Sequence, residues 1–207
     1  MPILTTDNEY AVTITYKCNW NCEYCAIKND YDYKENVTHE DVLKKLEKIP
    51  NNSNVTIFGG EPGIIEREKN ENYIYFLKNR NCKLFLETNG LFIKKYPDLL
   101  HNFQEILYHC SQDLEDEMID CSQFNNIRYL IVVHDKNIHK LHDYLTKYKN
   151  IHFDIIEATY PYPEMKGPTL SKQNKNHIIS KYGNRMTKES FYRLLNGKNF
   201  DKITFLT

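Results

Sequence analysis

The sequence predicts an α/β fold in which parallel strands alternate with helices. Three observations carry this. Six short β-branched or apolar runs alternate with helical stretches along the chain up to Glu157. Several of these runs stop at glycine or polar turns. The residues richest in chemistry fall directly behind the runs, at one edge of the expected sheet. Strand–helix repetition of this kind implies parallel pairing with right-handed crossovers. It leaves two architectures open, a doubly wound sheet or part of a β/α barrel. In both, chemistry collects at the C-terminal ends of the strands.

The elements follow in order. Val12 to Tyr16 reads as the first strand, by its alternating β-branched residues. A helix is expected from His39 to Ile49, with Thr38 as N-cap and Asp41 three residues on. Val42, Leu43, Leu46 and Ile49 form its apolar face, and Pro50 ends it. Val55 to Phe58 is the second strand, closed by Gly59-Gly60, and a helix spans Asn72 to Asn79. Lys83 to Glu87 is the third strand, ending in Thr88-Asn89-Gly90, and a helix from Phe92 to Tyr96 is interrupted by Pro97. Glu105 to His109 is the fourth strand, followed by a short helix from Leu114 to Ile119. Ile127 to Val133 is a strongly apolar fifth strand, and Ile138, Leu141, Leu145 and Tyr148 mark an amphipathic helix behind it. Phe153 to Glu157 is the sixth strand. Beyond Pro161 and Pro163 the sequence turns polar, with helical segments at Lys172 to Lys181 and Lys188 to Leu195.

A chain of 207 residues suffices for one sizeable core, and 41% hydrophobic with 27% charged residues is ordinary for a globular protein. No apolar run has transmembrane length, and Met1 to Asp7 lacks a basic stretch followed by an apolar one. A cytoplasmic protein without a membrane partner is expected. Of six cysteines, three crowd one loop while Cys82, Cys110 and Cys121 lie far apart, which fits free thiols better than a disulfide framework. Net charge is −1, but unevenly spread. From Met165 to Thr207, nine basic residues against two acidic ones give +7, and the remainder carries 18 against 26, or −8. Two units are expected, a core domain over 1–164 and a basic C-terminal extension over 165–207 packed on or covering it. Such asymmetry can mark a surface for an anionic partner, although a solvated helical face explains it equally well. The sixteen tyrosines, with many Asn and Lys residues, read as compositional bias, so no nucleic-acid partner is expected.

The most telling motif is Cys18-x3-Cys22-x2-Cys25, directly behind the first strand. Soft thiolates suit zinc or an iron–sulfur cluster. A closed zinc site needs a fourth ligand, usually from a second short-spaced pair, and none exists here. Three thiolates can instead hold three irons of a four-iron cluster and leave the fourth open to a ligand. A redox dithiol at Cys22 and Cys25 would leave Cys18 unexplained. Gly59-Gly60-Glu61-Pro62 ends the second strand, where adjacent glycines allow close backbone approach to a ligand. A tight strand-to-helix connection is the ordinary alternative.

Together these motifs resemble the radical S-adenosylmethionine (SAM) superfamily: the three cysteines after strand one, an aromatic at Tyr24, and Gly-Gly-Glu-Pro after strand two. The resemblance covers roughly Ala11 to Thr159. It implies a partial six-stranded (β/α)6 TIM-like barrel with a short C-terminal extension. It implies that Cys18, Cys22 and Cys25 bind three irons of a [4Fe–4S] cluster while SAM chelates the fourth through its amino and carboxylate groups. Gly59, Gly60 and Glu61 would contact the SAM amino group, and Tyr24 would lie near the adenine, largely through its backbone. Ser111 and Asp113 resemble a Ser-x-Asp that reaches the SAM ribose or carboxylate, and Thr88 and Asn89 occupy the corresponding polar turn after strand three. In the implied mechanism one electron passes to the sulfonium of SAM, the carbon–sulfur bond breaks, and the 5′-deoxyadenosyl radical takes hydrogen from a substrate C–H bond. The protein supplies ligation, positioning and exclusion of water. A one-electron reductase, or a donor of flavodoxin or ferredoxin type, is the implied partner.

The absence of a cysteine group after Cys121 predicts a single cluster. Compact length and the pairing of Gly-Gly-Glu-Pro with Glu87-Thr88-Asn89-Gly90 are similar to two groups, the glycyl-radical activating enzymes and the 7-carboxy-7-deazaguanine synthases. The segment Ala26-Ile27-Lys28-Asn29-Asp30 lacks the Asn-Pro of the first and the Asp-Thr of the second. The expected substrate is small or nucleotide-like and anionic. A peptide or protein substrate, a SAM sensor and a non-catalytic iron–sulfur or zinc module are the alternatives. His109, Cys82, Cys110 and Cys121 are expected to be structural. Tyr160 and Tyr162 fall where they could line a substrate pocket.

Overall fold

A computed structural model describes residues 8–25, 27, 37–157, 170–186 and 204–206. The first six strands are β1 (Glu9–Thr13), β2 (Asn54–Phe58), β3 (Lys83–Thr88), β4 (Glu105–His109), β5 (Ile127–Val133) and β6 (Phe153–Glu157). A seventh, β7 (Thr204–Leu206), pairs in parallel with β1. All are parallel in one open sheet of order β6-β5-β4-β3-β2-β1-β7. The architecture is the expected partial barrel. β7 was not legible in the sequence: its three residues carry no period long enough to read.

Helices α1 (His39–Glu47), α2 (Arg67–Lys78), α3 (Leu91–Lys95) and α4 (Leu141–Lys147) link the strands, and α5 (Lys172–Tyr182) follows β6. α1 starts as expected. Thr38 Oγ1 accepts from the Asp41 N–H, and the Asp41 carboxylate accepts from the Thr38 N–H, a complete capping box. Its Val42 and Leu46, with Ile49 just beyond, are at most 1% exposed. Burial of each such side chain contributes about 1.5–3 kcal/mol. α2 begins five residues earlier than the periodicity predicts, because a buried polar residue, Asn70, interrupts its apolar face. Asn70 Nδ2 donates to the carbonyls of Pro62 and Ile65 and fastens the helix to the turn after β2.

The helix expected over Leu114 to Ile119 is absent. Asp113 and Leu114 take left-handed backbone angles (φ 52° and 62°), outside the right-handed helical region. Side chains satisfy the backbone donors of this loop instead. Ser111 Oγ accepts from Asp116 N–H, Asp116 from Gln112 N–H, Tyr148 Oη from Met118 N–H, and Tyr108 Oη from Ile119 N–H. The segment Lys188 to Leu195, and Tyr160 and Tyr162, lie outside the described residues.

The main core lies between the sheet and its helices. It takes Val12, Val55, Ile57, Leu84, Leu86, Ile106, Tyr108, Ile131 and Ile155 from one face of the strands. The alternate residues form the concave face. There Leu107, Leu130 and Val132 make a separate apolar patch, packed against Tyr24 and Ile156.

Candidate active site

The cysteine loop leaves β1 directly above the turn that leaves β2. Ile14 N–H still donates to Phe58 O, and then the two chains lock: Gly60 N–H donates to Thr15 O at 2.7 Å and Glu61 N–H to Lys17 O at 2.8 Å. A Cβ on Gly59 would sit 2.3 Å from Thr15 O, and one on Gly60 2.2 Å from Lys17 O. Real Cβ atoms do not come so close, and Gly59 also has φ +149°. The two glycines are therefore required by the chain's own backbone, where it carries the cysteines, before any ligand is considered.

Glu61 is fully buried. Its Oε1 accepts from Gly63 N–H (2.7 Å), Phe92 N–H (3.1 Å) and Thr88 Oγ1 (2.9 Å). Its Oε2 accepts from Asn89 N–H (2.7 Å) and again from Thr88 Oγ1 (3.0 Å). Burial pushes the carboxyl above its ordinary range, and these donors offset only part of that rise. Every named partner is a donor, so the arrangement suits the carboxylate. Thr88, also buried, accepts in turn from Gly90 N–H. The turns after β2 and β3 are thus tied to one buried side chain, the start of α3 included.

The third motif continues to the cysteines. Asn89 Nδ2 donates to Asn19 Oδ1 at 2.9 Å and to Cys18 Sγ at 3.6 Å. The loop is held elsewhere by Asn21 N–H on Gln112 Oε1 and by an exposed Lys136–Glu23 ion pair. Tyr24 folds down onto Leu107, Leu130 and Val132 of the concave face, and burial pushes its phenol well up.

The other side of the mouth is built from β4 and β5. Asp113 Oδ1 meets His134 Nε2 at 2.9 Å, and the His134 ring lies 5.5 Å from that of Tyr24, tilted. Facing a carboxylate, Nε2 carries a proton. His134 is buried, and its Nδ1 has no hydrogen-bond partner among the described residues. Asn137 fixes the histidine's backbone, accepting from His134 N–H through Oδ1 and donating to Val132 O. Ser111, expected at a ligand, is buried with its hydroxyl committed to Asp116 N–H and Gln112 O. Sequence reasoning missed His134. The signal was available, since it is the polar residue directly behind the apolar run of β5.

Lower on the concave face, His109 Nε2 stands 3.9 Å from Glu87 Oε2. Arg128 is held between Glu105 and Asp154.

The donor set fits a four-iron cluster. Cys18, Cys22 and Cys25 are half-buried thiols on one loop. The Cys22 thiol is pushed up to about 11, first by burial and further by Cys25, Cys18 and Asp113, against a hydrogen bond with Tyr24. A crowded thiol that resists ionisation is stabilised as a thiolate by a cation beside it. Among the described residues no three His, Cys, Asp or Glu side chains converge on a single-ion site. A cubane does not need such convergence, because each thiolate takes its own iron.

The comparisons with known proteins agree. In shape the chain is similar to anSMEcpe with AdoMet bound, at 17% identity and TM-score 0.61, covering 95% of this chain and 61% of that one. It is also similar to anSMEcpe with AdoMet and the Cp18Cys peptide (18%, TM-score 0.56, 95% and 62%). Streptococcus suis SuiB bound to S-adenosylmethionine is a third (16%, TM-score 0.52, 94% and 53%). The chain therefore spans less than two thirds of these proteins' length. No curated protein matches it. The family model described as "Radical SAM superfamily" matches residues 12–152, which takes in the cysteine loop, both glycine turns and the Asp113–His134 pair, and the chain belongs to that superfamily.

Proposed function

We propose that this chain cleaves SAM reductively and uses the resulting radical to take hydrogen from a substrate. Membership of the family implies a [4Fe–4S] cluster and a reductant. When bound, the cluster supplies the electron that breaks the carbon–sulfur bond of SAM. The observation that carries the proposal is the continuous hydrogen-bonded unit running from Glu61 through Thr88 and Asn89 to Cys18. It sets a three-thiol loop rigidly over a glycine turn, as a site for an open-cornered cluster requires.

The chain's own residues divide the work. Cys18, Cys22 and Cys25 hold three irons. Gly59 and Gly60 bring backbone to the side of the loop where the SAM amino group would lie. Glu61, Thr88 and Ser111 have side chains committed within the chain, so their part is to fix the turns. Asp113, oriented by His134, is placed to hold a ribose hydroxyl or the ammonium. Tyr24 covers the apolar patch of the concave face and would exclude water there when SAM is bound. An electron donor of flavodoxin or ferredoxin type is the proposed partner.

A small or nucleotide-like anionic substrate rests on the basic C-terminal extension alone. The described concave face does not reinforce it, since Arg128 there already lies between Glu105 and Asp154. A peptide substrate is the second reading, favoured by the peptide-bound forms of two similar structures, anSMEcpe with Cp18Cys and SuiB with precursor peptide SuiA. Anaerobic incubation of the reconstituted chain with dithionite and SAM tests the proposal. Slow formation of 5′-deoxyadenosine is expected even without substrate, and its absence from a chain loaded with about four irons would argue for a SAM sensor.

A further inference from the structure

Asn89 joins the cysteine loop to the buried carboxylate beneath it. Its backbone N–H donates to Glu61 Oε2 at 2.7 Å, and its side-chain Oδ1 accepts from the Leu91 N–H at 3.2 Å. The second contact settles the orientation of the amide. With Oδ1 turned to a donor, Nδ2 faces the loop. Nδ2 carries two hydrogens and has two acceptors in reach, Asn19 Oδ1 at 2.9 Å and Cys18 Sγ at 3.6 Å. The Trp20 N–H also donates to Cys18 Sγ, at 3.3 Å. One cysteine sulfur therefore receives a side-chain and a backbone N–H together.

Hydrogen bonds to cluster sulfurs are among the terms that set reduction potential. A ligating sulfur becomes more electron-rich when its cluster is reduced, so an N–H donor stabilises the reduced state more than the oxidised one. We infer that Asn89 is a positioning residue for the cluster: its amide N–H bonds the Cys18 thiolate and raises the potential at which the bound cluster accepts an electron. The role places the reduced state within reach of a biological one-electron donor. The inference rests on ligation by Cys18, as the proposed function has it, and on an amide held at both ends before any cluster arrives.

The test is an EPR-monitored redox titration of the full chain, reconstituted anaerobically, as wild type, Asn89→Leu and Asn19→Ala. Iron counting reports on the cluster, and the difference in midpoint reports on Asn89. Asn89→Leu is expected to hold about four irons and to show, at the wild-type midpoint, a reduced-to-oxidised ratio lowered about tenfold, or ~59 mV for one electron. Asn19→Ala, which removes only the other acceptor, is expected to titrate as wild type. An unchanged or raised midpoint in a four-iron Asn89→Leu overturns the inference, as does an equal fall in Asn19→Ala. If the leucine variant loses its irons, Asn89→Ala removes the amide hydrogens without placing a new charge beside the cluster. A lowered midpoint there supports the role, and a wild-type midpoint overturns it. A wild-type chain that binds no iron overturns the cluster reading and this inference together.

Discussion

The two sides of the active-site mouth are built in different ways. The side made by β1, β2 and β3 hangs on one buried carboxylate, with three backbone N–H groups and a threonine hydroxyl converging on Glu61. The side made by β4 and β5 has no such hub: Asp113 meets His134 beside a left-handed turn, and separate side chains, Ser111, Asp116, Tyr108 and Tyr148, each take one N–H of the loop. The first arrangement fixes backbone, which is what a loop of metal ligands needs. The second orients a single carboxylate and spreads the anchoring of its loop over several side chains. The difference separates cluster loading from SAM binding, and substitutions on each side should affect different measurements.

The largest effect is expected on the Glu61 side. Glu61→Ala leaves several buried donors without an acceptor, at about 1–3 kcal/mol each. A loss of roughly 4 kcal/mol or more in denaturant unfolding, with little iron bound after reconstitution, is predicted. A variant that keeps wild-type stability would show that the carboxylate is not the anchor. Gly60→Ala comes next. Its methyl would meet Lys17 O at 2.2 Å, so the cysteine loop must shift, at a cost of about 1–3 kcal/mol and with reduced iron content. Iron binding at wild-type level would break the link drawn between the glycine turn and the loop.

His134→Ala tests the opposite side. It should lower stability by about 1–3 kcal/mol, leave iron content intact and weaken SAM binding in equilibrium dialysis. A loss of iron with unchanged SAM affinity would reverse the assignment of the two sides.

A smaller effect concerns pH in the iron-free chain. Burial raises Cys22 from 9.0 to about 11, so its folded value lies above its unfolded one. The neutral thiol is favoured by the fold. Stability is full below the unfolded value and falls as pH rises from about 9 toward about 11. Cys121 behaves alike. Melting temperature followed over this range should fall less steeply in Cys22→Ala, and an identical slope would remove Cys22 as a contributor. Least of all, Lys136→Ala breaks an ion pair exposed on both sides and should leave the melting temperature unchanged.

The contrast also explains what the sequence made legible. Cys18, Cys22, Cys25, Gly59, Gly60 and Glu61 are readable because their requirements are local: spacing on one loop, and glycine where no Cβ fits. β2 to β6 were readable from their apolar runs and α1 from its capping box, whereas β1 lies at Glu9–Thr13, three residues before the expected Val12 to Tyr16, because the chain beyond Thr13 already turns into the cysteine loop. Asp113 and His134 each stand as polar residues behind a strand, but their pairing depends on two strand ends meeting, which no local pattern records. The loop Leu114 to Ile119 reads as a helix because its apolar spacing is helical, yet left-handed backbone at Asp113 and Leu114 decides otherwise. Glu61 was legible as important but not in its role. A carboxylate behind two glycines reads as a ligand contact, and only the fold shows its oxygens filled by the chain's own donors.

The central claim is that Cys18, Cys22 and Cys25 hold a cluster with one corner open to SAM. EPR of the reduced, reconstituted chain with and without SAM tests it most directly. The account predicts about four irons per chain and a cluster signal that changes on adding SAM, with the change weakened in His134→Ala. A four-iron signal indifferent to SAM, or a chain that takes up zinc alone, would contradict it.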